Sequence, residues 1–280
     1  MGVTGFLNLL KPPGLTSAQA VNIVRRRLGE KRIGHLGTLD PLAAGVLPLA
    51  VGQATRLIPY LPEHDKVYIA EAWFGLVTDT QDSSGRVLTE APVPEADPAA
   101  LLQTFLGDQM QVPPMASALH HEGKRLYDLF RAGQEVERPA RPIRIERIEL
   151  KRWQRPRLLF KVWCSPGTYV RTLCHDLGQK LGCGACMSFL LRTRSGAFEI
   201  EDAVALEEVG PSALTDANLA LGHLLPLTLD GAQAVDVGHG RALEVPAPPG
   251  LVRLLDGEGR LLAVARSEGG RVHPQCVLNL

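Results

Sequence analysis

RPIRIERIELKRW (141–153) alternates apolar and polar residues like a strand, and RLLFKVWCS (157–165), which follows it, reads as another. That period of two is the signature of half-buried strands. Directly after them, TYVRTLCHDLGQKLG (168–182) changes to helical spacing, with Thr168 expected as its N-cap. Upstream, KVYIAEAWFG (66–75) alternates like a third strand, and residues 5–10 read as a short apolar strand closed by a Pro-Pro-Gly turn. Ser17 is the expected N-cap of a helix whose apolar Ala20, Val21, Ile23, Val24 and Leu28 share one face. Asp97 with Pro98 opens another helix, PAALLQTFLG, closed by Gly107. Strands and helices mix without regular alternation, so the expected class is α+β, a mixed sheet flanked by helices. From Leu225 the texture shifts to short β-like runs (AQAVDV, RALEV, LVRLL, RLLAVAR, CVLNL) between Gly and Pro turns. This predicts a main domain over 1–224 and a small β-rich domain over 225–280.

Charge is uneven along these elements. The chain has 280 residues and equal numbers of Lys+Arg and Asp+Glu, 30 each, which taken globally argues against a polyanionic partner. By segment, however, residues 1–60 carry net +5, 61–110 carry −7, 111–198 carry +9 and 199–280 carry −7. The basic blocks center on Arg25–Arg27, Lys31 and Arg32, and on the run from Arg138 to Lys161. A strand over 141–153 therefore has a largely basic outer face. That face reads either as ordinary solvated surface or as a phosphate-tracking one.

No apolar run reaches the ~18 residues of a membrane span, and the opening MGVTGFLNLLKPPG is too soon broken by proline for a signal peptide. The five cysteines, an odd count without an export signal, predict reduced thiols and a cytoplasmic protein. Cys183-Gly-Ala-Cys186 has zinc spacing, but a second pair is missing and adjacent Cys174 and His175 fit one tetrahedron poorly. No metal is expected there, and small residues closing a helix against a sheet are the preferred reading.

The densest chemical signal is GHLGTLDPLAAGVLPLAVGQATR (34–56). Asp40 is its only carboxylate, set among glycines and alanines that let backbone approach a bulky ligand. An isolated Asp-Pro usually just caps a helix, and a lone histidine such as His35 is usually solvated.

Together with four further motifs, this stretch resembles the signature of the TruB and dyskerin type pseudouridine synthases. FLNLLKPPGLTS is similar to the family's first motif, with Lys11, Pro12, Gly14, Thr16 and Ser17 in place. KVYIAEAWFGLVTDTQDSSGRV resembles the segment with the active-site tyrosine, here Tyr68, and an acidic turn containing Thr78, Asp79, Thr80, Asp82 and Gly85. GDQMQVPPMASALHHEGKRLYDLFRAG resembles its Gln-x-Pro-Pro region. SPGTYVRTLCHDLG resembles the motif with Tyr169 and Arg171, and LGCGACMSFLLRTRSGAF the end of the catalytic domain. His120, Leu191 and Arg56 depart from the family's usual Lys, Arg and Lys.

The resemblance implies a pseudouridine-synthase fold with a PUA-like C-terminal domain that binds RNA. It implies an isomerase that converts uridine 55 in the tRNA T-loop to pseudouridine, with no cofactor. Asp40 would be the reacting carboxylate and Arg171 its ion-pair partner. Tyr68 would stack on the base and assist proton transfer. His35 would border the space left by a flipped-out base, with Tyr169 and Leu190 lining the pocket. The partner would be the T-arm of tRNA, with no membrane, and the enzyme would work as a monomer. The alternatives are a non-catalytic RNA-binding or tRNA-folding module, and a related synthase acting on another uridine.

Overall fold

The computed structural model describes residues 3–117 and 119–278, and the chain forms two compact units. One comprises residues up to Pro41, Gly45–Glu63 and residues from Ala197 onward; the other comprises Leu42–Ala44 and His64–Gly196.

The second unit is built on five antiparallel strands in the order Ala185–Ser195, Lys66–Phe74, Arg157–Cys164, Arg141–Gln154, Gly107–Gln111. The alternation read in the sequence becomes two faces: Leu158, Phe160, Val162 and Cys164 are buried while Arg157, Leu159, Lys161 and Trp163 are half-buried. The helices Pro98–Gln103 and Val170–Leu181 pack on this sheet. Contact is closest at Gly178, where an added Cβ would lie 2.1 Å from the Ala185 backbone nitrogen. Gly178→Ala gains ~1 kcal/mol of helix propensity. Against backbone the overpacking costs about 1–3 kcal/mol and cannot be relieved by a side-chain rotation. The variant is therefore expected to melt below the wild type in a thermal scan.

In the first unit, strand Gly5–Lys11 pairs antiparallel with Ala44–Val51 and parallel with Val204–Ala205, while Ile33–His35 lies antiparallel to Ala44–Val51. A second, five-stranded sheet takes the order Leu225–Thr228, Gly250–Leu255, Leu261–Glu268, Arg271–Val277, Leu243–Glu244. One buried cluster joins residues of both: Phe6, Ala50, Ala54 and Leu57 with Leu224, Leu255, Leu261 and Val264. Arg56, one of the departures from the family pattern, donates to the Val277 carbonyl at 2.6 Å.

The α+β class with mixed sheets stands as expected, and four local readings need correction. Thr16, not Ser17, caps the helix Ser17–Leu28, because Gln19 completes a capping box with Thr16. Tyr169 precedes the helix Val170–Leu181 in the cap position, while the Thr168 hydroxyl donates back to Ser165. The helix from Pro98 ends at Gln103, and Gly107 opens a strand. AQAVDV is not a strand but part of the helix Gly231–Gly238. There the Asp230–Gln233 capping box outweighs six residues of alternation, and Val237 is the fully buried side chain. Of the run CVLNL, the strand includes Cys276 and Val277, Leu278 follows it, and Asn279 and Leu280 lie outside the described residues.

Candidate active site

Asp40 lies in the loop after strand Ile33–His35, half-buried, and both of its neighbors are anchored through their backbone. The Ser17 hydroxyl donates to the Leu39 carbonyl at 2.9 Å and accepts from the Leu39 amide at 2.8 Å. On the other side the Gly14 amide donates to the Pro41 carbonyl at 2.7 Å. Gly14 belongs to the Pro-Pro-Gly turn, and Lys11 braces that turn from inside. Its ammonium, with no exposed surface, donates to the carbonyls of Pro12 at 2.9 Å and Leu15 at 2.7 Å. The first sequence motif thus acts as a clamp on the loop that carries Asp40. His35 ends its strand as an exposed residue.

Tyr68, Leu190, Tyr169 and Arg171 belong to the second unit. Tyr68 pairs in register with Arg192, and Leu190 with Ala70. Tyr68 and Ala70 are two residues apart, so these four side chains share one sheet face. All are buried, Arg192 to 1% exposure despite its charge.

Arg171 sits in the first turn of its helix and is 4% exposed. Its guanidinium donates to the carbonyls of Thr80 at 3.0 Å and Ala116 at 2.7 Å, and lies 3.7 Å from an Asp82 carboxylate oxygen. The acidic turn is built to hold Asp82 in place. Thr80 and Ser84 both donate to its Oδ1, and Thr78 donates to its carbonyl at 2.7 Å. Gln81 adopts φ 62°, rare for a residue with a side chain. It is held there because its carbonyl accepts from Met187 at 2.9 Å and its amide oxygen from Thr172 at 2.9 Å.

Tyr169 is fixed by a residue the sequence reading did not single out. The buried Gln111 side chain accepts from the Tyr169 amide at 2.8 Å and donates to its carbonyl at 3.0 Å, as a strand partner would. Only its place in the Gln-x-Pro-Pro motif marked it in advance.

Further along the helix from Tyr169, Asp176 is half-buried and has no ion pair among the described residues, and burial pushes its carboxyl up from the ordinary 3.8 to about 6. Between those values the folded state holds more protons than the unfolded one, so stability falls as pH rises through the window. Asp176→Asn should therefore melt higher than the wild type at pH 8, with the gap closing by pH 4. The five cysteines are all buried, and burial raises their thiols, Cys164 to about 12 and Cys186 to about 11. Cys183 and Cys186 flank the close approach of helix to strand at Gly178. Among the described residues no cluster of three or more His, Cys, Asp or Glu could hold a metal.

The loop that carries Asp40 belongs to one unit, and Tyr68 on its sheet and Arg171 on its helix belong to the other. The model of the TruB family pseudouridylate synthase N-terminal domain matches residues 25–170. Those of the tRNA pseudouridylate synthase B C-terminal domain and the tRNA pseudouridine synthase II C-terminal domain match 171–228 and 226–279. The chain belongs to the TruB family of pseudouridine synthases, enzymes that isomerise uridine. It is 49% identical to tRNA pseudouridine synthase B of Moorella thermoacetica, over 95% of this chain and 94% of the relative. It is 50% identical to the protein of the same name from Symbiobacterium thermophilum, over 86% and 83%. Among solved structures, a chain of a Cbf5-Nop10-Gar1 complex superposes with TM-score 0.71 at 28% identity, covering 98% of this chain and 84% of that one.

Proposed function

We propose that the protein converts uridine 55 in the T-loop of tRNA to pseudouridine, with Asp40 as the reacting carboxylate and Arg171 as its ion-pair partner. The observation that carries this reading is the placement of Arg171, a buried cation held rigidly by Thr80, Ala116 and Asp82. A fixed positive charge beside a carboxylate keeps it ionised in a site shielded from water. The near 50% identity to curated tRNA pseudouridine synthases over most of the chain supports tRNA as the substrate.

The reaction breaks the C1′–N1 bond, rotates the uracil and forms C1′–C5; the C5 proton leaves to solvent and N1 takes one up. Atoms balance without an oxidant or energy source, so no cofactor is required. The target base is stacked in the T-loop and must be flipped out, at a cost of a few kcal/mol. His35 borders the vacated space. Tyr68 stacks on the uracil and its hydroxyl assists proton transfer, while Tyr169 and Leu190 line the pocket. Residues 225–280 form a PUA-like module that adds RNA contact, supported by the family match over 226–279. The enzyme acts as a monomer in the cytoplasm; no helix among the described residues is long and apolar enough to cross a membrane.

A T-arm stem-loop carrying tritium at C5 of uridine 55 is expected to release one label per turnover to water. Pseudouridine mapping of total tRNA from cells lacking the protein should show loss at position 55. Loss elsewhere with position 55 intact would reassign the substrate to another uridine.

A further inference from the structure

Strand Gly107–Gln111 is the last strand of the second unit's sheet, and from Gly107 to Met110 it is exposed or half-buried. Its final residue, Gln111, is 4% exposed. A primary amide withdrawn from water is costly unless its donor and its acceptor are both met. Here one residue meets both. The Gln111 oxygen accepts from the Tyr169 amide at 2.8 Å, and the Gln111 nitrogen donates to the Tyr169 carbonyl at 3.0 Å. The same carbonyl accepts the first bond of the helix, from the Leu173 amide at 3.1 Å.

These bonds fall where the backbone changes course. Tyr169 is extended (φ −96°, ψ 106°), Val170 begins the helix, and the Tyr169 side chain makes no capping bond to it. The direction in which a side chain leaves the chain follows from the local backbone, so holding both the N–H and the C=O of Tyr169 sets where its ring points. Reach and chemistry both single out glutamine for this. Asparagine is shorter, an ionised glutamate only accepts, and methionine fills the volume with neither group. Downstream, the buried Pro113 and Pro114 stiffen the path to Ala116, whose carbonyl accepts from Arg171 at 2.7 Å. The stretch 111–116 therefore grips the helix start at residues 169 and 171 through separate groups.

We propose that Gln111 is a positioning residue for pseudouridine formation that acts through Tyr169: its amide aims the tyrosine ring at the flipped-out uracil. The inference rests on the reading above that puts Tyr169 in the base pocket, and adds what sets the direction of its ring. Phosphate contacts hold an RNA strand in place whatever the base pocket does, so Gln111 acts on kcat and not on RNA affinity.

The test uses the full chain, tritium release from the labelled T-arm stem-loop, RNA affinity by fluorescence anisotropy and a thermal melt of each variant. Gln111→Met is expected to lower kcat about 100-fold, the scale on which a misplacement of about 1 Å acts, while KM and affinity hold. Gln111→Glu keeps the size and the bond from the Tyr169 amide, so it folds even where the methionine variant does not. Its kcat is expected to fall about tenfold, the equivalent of one hydrogen bond. The deciding comparison is a cycle with Tyr169→Ala. In that background no ring is left to aim, and Gln111→Met is expected to change kcat by no more than about twofold. A full further loss there would mean that Gln111 acts through another group and would overturn the assignment. So would wild-type kcat in a folded Gln111→Met with only its melting temperature lowered, or a rise in KM with kcat held. Absence of tritium release by the wild type would instead remove the reading on which the inference rests, and shows before any variant is compared.

Discussion

Asp40→Asn should reduce tritium release from the T-arm substrate by at least on the order of 10⁴-fold, the scale on which losing a reacting group acts. The substitution keeps size and shape and removes only the charge and the nucleophilic oxygen. Its structural effect should be small, because the loop is held through the backbone of Leu39 and Pro41 and not through the Asp40 side chain alone. Melting temperature and RNA affinity are therefore expected to stay near the wild type. This separates the enzyme from a module that only folds or holds tRNA, in which the same variant would lose nothing. A variant retaining a tenth of the activity would remove Asp40 from its role.

Arg171→Lys is expected to lower kcat by about 100- to 1000-fold although it keeps the positive charge. Breaking a buried charged network costs about 3–5 kcal/mol, and each 1.36 kcal/mol in the barrier is a factor of ten. The guanidinium reaches the Thr80 carbonyl, the Ala116 carbonyl and Asp82 from one rigid plane. An ammonium is a point charge with a tetrahedral donor set and cannot hold all three in that geometry. Lysine would settle toward Asp82 and leave carbonyls bare, so the residue that should orient the catalytic carboxylate would sit elsewhere. If Arg171 served only to contact phosphate, the lysine variant would act almost entirely on KM, and that outcome would dismiss the ion-pair role.

Much of this was legible in the sequence wherever the signal was periodic. The strands at 66–74, 141–154 and 157–164 follow the alternation to within a residue, because one face must be buried and the other wetted. The helix ends were less legible. Thr16 and Ser17 are adjacent hydroxyls of similar capping strength, and the choice fell to Gln19. That choice released Ser17 to bond Leu39, a contact 22 residues away that links the first motif to the loop of Asp40.

The sequence by itself determined the α+β class, the strand faces and, through five ordered motifs, the family. Those are properties of local pattern, where spacing along the chain dictates which side chains face together. Only the tertiary structure decided what holds those residues in place: Gln111 on Tyr169, 58 residues away, and Thr80 and Ala116 on Arg171, 91 and 55 residues away. Backbone carbonyls carry no residue identity, so an arginine's choice among them leaves no trace in the sequence.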